Sequence, residues 1–186
     1  MHQDDDYARG EHQPIASRAG IARVPGLDRI PTYVLKAVGD VVLMLGDRRL
    51  TLDQVEEWLA AATRISSRQV EASLGPLCDS GYLRADSAPG NPQTVLHLTP
   101  EGLDAYCRHL VPNYGRVERD VLQIACQEIG VDAYEISRRT GRAELLVEHV
   151  LSDAEGNGHL RLSRTGQYVV VKDVSPQLRR WISGAA

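Results

Sequence analysis

Apolar residues recur at helical spacing in short segments, and two hairpin-like pairs of strands follow them. The order helix, short strand, helix, helix, strand, loop, strand, helix is written once before Pro112-Asn113-Tyr114-Gly115 and again, more tersely, after it. These observations predict an α+β, mostly α fold: two tandem winged helix-turn-helix domains, each of three helices with a small β-hairpin wing. The expected boundaries are a flexible acidic N-terminal arm over 1–29, a first domain over 30–111 and a second over 116–186.

The arm is expected from composition. It mixes four Arg with five acidic residues and has no apolar periodicity, so it has neither a core to join nor a basic track for DNA. From Thr32 the stripe Val34, Leu35, Val38, Val41, Val42 and Leu45 predicts the first helix, ended by Gly46-Asp47. Arg49-Leu50 is short and extended. Thr51 and Gln54 have capping-box spacing, in which each side chain satisfies a free N–H of the other's backbone. The helix they open carries Val55, Trp58, Leu59 and Ala62 on one face. Ser66 and Gln69 repeat the box for a third helix, with Val70, Leu74, Leu77 and Cys78 inward. Pro76 inside it removes a backbone donor, so a bend or one lost hydrogen bond is expected. Gly81 is the left-handed residue that turns this helix into a strand at Tyr82-Leu83-Arg84. A turn-rich loop holds Pro89-Gly90-Asn91-Pro92, Thr94–Leu98 returns as a strand, and Thr99-Pro100 starts a helix with Leu103, Tyr106 and Leu110.

In the second half, Val117, Val121, Ile124, Ala125 and Ile129 mark a helix. Val131 stands where the short strand belongs, and Asp132 caps a helix that stops at Thr140-Gly141. A third helix is expected from Arg142 to Ala154, with Leu146, Val150 and Leu151 inward. A hairpin around Ser163–Gly166 follows. Ser175-Pro176 caps a last helix that docks Leu178, Trp181 and Ile182.

Composition narrows the function. No apolar run approaches the ~18 residues of a membrane span. Three cysteines, odd in number and far apart, fit a reducing, cytoplasmic setting better than a disulfide framework. No phosphate-binding loop, nucleophile elbow or zinc-ligand spacing is present. Neither an enzyme, a cofactor nor a metal is therefore expected. His97, His109, His149 and His159 have no convergent partner in sequence, and Cys78 reads as a buried, inert thiol. The formal charge of −4 weighs against nucleic acid, though a local basic face outweighs a sum.

The stretch SSRQVEASLGPLCDSGYLR, with TVLHLTPEGLDAY after it, resembles winged-helix regulators of the MarR/PadR kind, and Leu98-Thr99-Pro100-Glu101-Gly102 matches their Leu-Thr-x-x-Gly motif. The second half looks like the same fold with a shorter hairpin, so the resemblance spans about residues 32–183 and implies a DNA-binding transcriptional regulator. In that setting the N-terminal turn of the third helix enters the major groove. Arg68 then reads guanine and Gln69 adenine, while Arg64, Ser66 and Ser67 hold phosphates and Arg84 stands at the wing. In the second domain Arg138, Arg139, Arg142, Arg161 and Arg164 form the matching face, beside the acids Glu144, Glu148, Asp153 and Glu155. The expected partners are double-stranded DNA, with a second copy or another protein as alternatives, and no membrane.

A second reading stands beside this one. The tandem layout also resembles the segregation-and-condensation protein B family and the endosomal-sorting tandem winged-helix subunits, in which the fold binds protein. Val34–Val111 carries seven basic and ten acidic residues and Gly115 onward ten of each, a balance that suits protein contacts.

Overall fold

The computed structural model describes residues 22–87 and 93–184. The loop expected around Pro89–Pro92, and residues 1–21 of the expected arm, lie outside them. The chain is mostly helical, with two small antiparallel sheets.

Helix α1 (Arg29–Leu45) begins earlier than the apolar stripe indicates. The expected arm boundary at residue 29 is also late: Val24, 1% exposed, and Leu27 already belong to the core. Helix α1 buries Val34, Leu35, Val38, Val41 and Val42, the predicted stripe, while Leu45 at its end is exposed. Strand β1 (Arg49–Thr51) leads into α2 (Leu52–Ala62). The Thr51 capping box forms: Thr51 Oγ1 accepts from Gln54 N, and Gln54 Oε1 accepts from Thr51 N. Val55 and Leu59 are buried, but Ala62 is exposed.

Helix α3 (Ser67–Asp79) runs through Pro76 without a break. Its buried residues are Val70, Ser73 and Leu77, with Leu74 and Cys78 only half-buried. Ser73 enters the core because its hydroxyl donates to the Gln69 carbonyl at 2.7 Å, which removes the penalty of burying it. Gly81, at φ +73°, ends the helix in a Schellman motif: Tyr82 N donates to Leu77 O and Gly81 N to Cys78 O, both at 2.9 Å. Strands β2 (Leu83–Ser87) and β3 (Thr94–Leu98) follow, and the sheet order is β1-β3-β2. Leu50 lies opposite Leu96 and Leu83 opposite Leu98, which turns one face of the sheet onto α1 and α3. Thr99 caps α4 (Pro100–Leu110).

Three residues separate α4 from α5 (Tyr114–Gln127). Ile129 lies beyond α5 and is exposed, not part of its apolar face. Asp132 caps α6 (Ala133–Thr140) by accepting from Glu135 N at 2.7 Å. Helix α7 (Glu144–Gly156) starts two residues later than expected. Strands β4 (Leu160–Thr165) and β5 (Tyr168–Val174) form a hairpin that turns at Gly166-Gln167, beyond the predicted Ser163–Gly166 centre. The short-strand position survives as a single bridge between Asp132 and Val170. Helix α8 (Pro176–Ser183) docks Leu178, while Trp181, expected in the core, is 47% exposed.

Each half gathers its own apolar cluster. The first is centred on α1, α3 and α4, and the second on α5, α6, α7 and the hairpin. Val117 of α5 and Leu146 of α7 belong to the first cluster, so the halves meet through packed side chains and not only through the linker.

Candidate functional site

The turn from α2 to α3 is fixed by Thr63, whose hydroxyl donates to Leu59 O at 2.8 Å and accepts from Ile65 N at 3.2 Å. Arg64, Ser66, Ser67, Arg68 and Gln69 are all exposed there. Among the described residues, neither Arg64 nor Arg68 makes an ion pair. Gln69 is committed: its Oε1 accepts from Ser66 N at 3.0 Å and from the Ser66 hydroxyl at 3.1 Å, so pairing with a base breaks the cap. Helix α2 turns Asp53 and Glu57 outward, and Glu71 is exposed one turn beyond Arg68. Arg84 is held by Asp86 at 3.1 Å, and the same carboxylate lies 3.0 Å from His97 Nε2.

In the second half the basic residues meet their own acids. Arg138 forms two hydrogen bonds to Glu135, at 2.9 and 3.0 Å, which hold that carboxyl below the usual range. Arg139 reaches Glu128 at 2.8 Å, and Arg161 lies 3.8 Å from Asp173. Arg164 bonds Glu155 at 2.6 Å. Burial works to raise the Glu155 pKa, but the Leu162 N–H, at 2.7 Å, and Arg164 outweigh it and hold the carboxyl low. Arg142 is exposed and, among the described residues, has no ion pair.

Helix α7, in the position of a reading helix, is covered. Leu146 sits in the first cluster, with Ala143 and Leu145 packed against it. Arg108 of α4 binds Asp104 at 2.7 Å and reaches across to Asp153 of α7 at 3.1 Å. Only Glu144, Ser152 and Gly156 of α7 are fully exposed. Of the arginines predicted to flank this helix, Arg164 contacts it, at Glu155 and Ser152, while Arg138, Arg139 and Arg161 pair with residues off it.

No protein-family model matches the sequence, and no curated protein matches it. Among solved structures, the chain is similar to a chain of the ESCRT-II endosomal trafficking complex, at 12% identity and a TM-score of 0.27. The match covers 76% of this chain and 63% of that one, so this chain spans less than two thirds of its length.

Between α4, α7 and the β4–β5 turn lies an open groove of about 1000 Å³. Its wall includes His149, whose Nε2 is 3.5 Å from Asp104 Oδ1 and makes no hydrogen bond among the described residues. Burial pushes the His149 pKa below its ordinary value, and Asp104 and Asp153 only partly offset this. Burial pushes the Cys107 thiol up to about 12, far from a reactive thiolate.

A further surface escaped the sequence reading. Helices α5 and α8 pack together, and they present Arg116, Arg119, Arg179, Arg180 and Trp181 outward. The signal was available as Arg179-Arg180-Trp181 and as Arg116 three residues before Arg119. Assigning Trp181 to the core hid it.

Proposed function

We propose that the chain is a non-catalytic tandem winged-helix assembly module whose partner is a protein, with units over about 24–111 and 116–186 held as one body. The observation that carries this reading is the covering of α7 by the first half. A third helix packed on α4, with Leu146 in the neighbouring core and Asp153 bound to Arg108, does not enter a major groove. Two further features support it. Four of the five candidate arginines of the second half are paired with carboxylates, and the exposed residues of α2 include the acids Asp53 and Glu57 and no base.

A second reading keeps one observation of its own: Arg64 and Arg68 stand exposed without ion pairs at the start of α3. In that reading the first unit alone binds duplex DNA. A titration on mixed duplex DNA at two salt concentrations separates the two. The assembly reading expects no binding at low salt. Binding at micromolar or tighter level that weakens steeply with salt and is lost in Arg68→Ala overturns it in favour of DNA.

A further inference from the structure

The α5–α8 seam concentrates positive charge on a chain that is net negative. Arg116 and Arg119 lie one turn apart on α5, and Arg179 and Arg180 are adjacent on α8. All four are exposed. Their acidic company is small. Asp120 lies 4.0 Å from Arg116, whose side chain is 80% exposed, and among the described residues Arg179 and Arg180 make no ion pair. Trp181 stands amid them, with the Arg119 guanidinium 5.8 Å from its ring centre. Arg116 and Arg119 span about 5 Å of α5, and the ring of Trp181 links them to α8.

We infer that this face docks a short acidic segment of a partner protein, its carboxylates on Arg116, Arg119, Arg179 and Arg180 and an apolar side chain against Trp181. The chemistry favours such an occupant on three grounds. Guanidinium groups pair bidentately with carboxylates, and these four have forks to spare. An exposed tryptophan among arginines is the composition of an interface centre and not of an ordinary solvated surface. Length then selects peptide over nucleic acid. An extended segment of a few residues, at about 3.3 Å each, covers the face, whereas a long polyanion runs beyond it. Charges beyond the Debye length of about 10 Å gain nothing from the patch. The inference rests on the assembly reading and names the partner chemistry for it.

The test is fluorescence anisotropy on the full chain with three labelled probes: a peptide of alternating acidic and leucine residues, its lysine counterpart, and a short oligothymidine. Binding of the acidic peptide alone is expected. It should weaken with salt and fall about tenfold or more in Arg179→Ala/Arg180→Ala and in Arg119→Ala. Arg164→Ala, whose partner Glu155 lies on α7, should leave it unchanged. Trp181→Leu keeps an apolar side chain on α8 and is expected to weaken binding less than the arginine changes do. Absent peptide binding, or binding indifferent to the α5–α8 substitutions, overturns the inference. So does oligothymidine binding more tightly through the same arginines, which would make the face a nucleic-acid platform. The duplex titration judges the assembly reading separately: peptide failure without duplex binding removes this face alone, whereas Arg68-dependent duplex binding removes the assembly reading itself.

Discussion

Thr99 does the work of a joint with one hydroxyl. Its Oγ1 accepts from Gly102 N at 2.9 Å and caps α4, while its proton is shared between Gly81 O at 2.6 Å and Tyr82 O at 3.0 Å. The end of α3, the start of β2 and the start of α4 are thereby tied at one point. Gly102 is required beside it because a Cβ there would collide with the Tyr82 carbonyl oxygen, a backbone atom that has nowhere to go. Thr99→Val is expected to lower stability by about 1–2 kcal/mol in urea unfolding, with Thr99→Ser restoring most of it. Gly102→Ala should cost at least as much, toward the upper end of the about 1–3 kcal/mol of an overpacked site. A Gly102→Ala chain with unchanged urea midpoint would show that α4 approaches β2 less closely than described. His149 supplies a pH dependence at the same scale. Burial lowers its folded pKa, with Asp104, Asp153, Arg108 and Arg48 the charges around it. The unfolded chain therefore binds the proton more readily. The stability that neutral His149 contributes is complete above its ordinary pKa of about 6.5 and is lost as pH falls from there toward the lower folded value. The urea midpoint should drop between pH 7.5 and 5.5, and less so in His149→Gln; equal drops in both chains would place the titration elsewhere.

At the scale of elements, caps and periodicity were the legible part. Thr51 with Gln54, Gly81, Thr99-Pro100, Asp132 and Ser175 stand at element ends, because a cap satisfies backbone groups within its own three or four residues and so writes itself locally. Local reading failed where a distant partner decides. Leu74 has helical spacing with both Leu77 and Cys78, yet Ser73 takes the buried position, since the angle at which α3 meets α1 sets which residues face inward. Trp181 has core composition, but the short α8 buries only Leu178 fully and leaves the ring beside Arg119. The arginines of the candidate site were legible as a cluster; their neutralisation was not, because Glu128 lies eleven residues from Arg139 and Glu155 nine from Arg164, joined by turns that sequence spacing does not measure. Gly81→Ala tests the cap reading at this scale. A non-glycine residue held at φ +73° is expected to cost about 1 kcal/mol without altering the fold, seen as a lower thermal midpoint with an unchanged circular dichroism spectrum.

For the whole molecule, the decisive feature is that residues of the second half complete the core of the first. Two units joined only by a linker unfold separately, each at its own midpoint. Here Val117 and Leu146, carried by α5 and α7, are buried in the cluster of the first half. Arg108 adds a tie to Asp153, which its partial exposure makes worth about 1 kcal/mol at most. The apolar contacts therefore dominate the joint, and they couple the halves whatever the salt concentration. One cooperative unfolding transition is expected, with calorimetric and van't Hoff enthalpies in agreement. Leu146→Ala empties a site shared by both halves and should cost about 2–5 kcal/mol. Its signature is more than the loss itself: the single transition should broaden or divide, and amide exchange should rise along α4 and α7 together. Arg108→Ala should do neither. A Leu146→Ala chain that loses stability but keeps one sharp transition would mean that the halves stay coupled through contacts other than this one. If the transition divides, α7 is freed from α4, and the same variant gains a use: it exposes the covered helix, so duplex binding that appears only in Leu146→Ala would identify the joint as what keeps α7 from DNA.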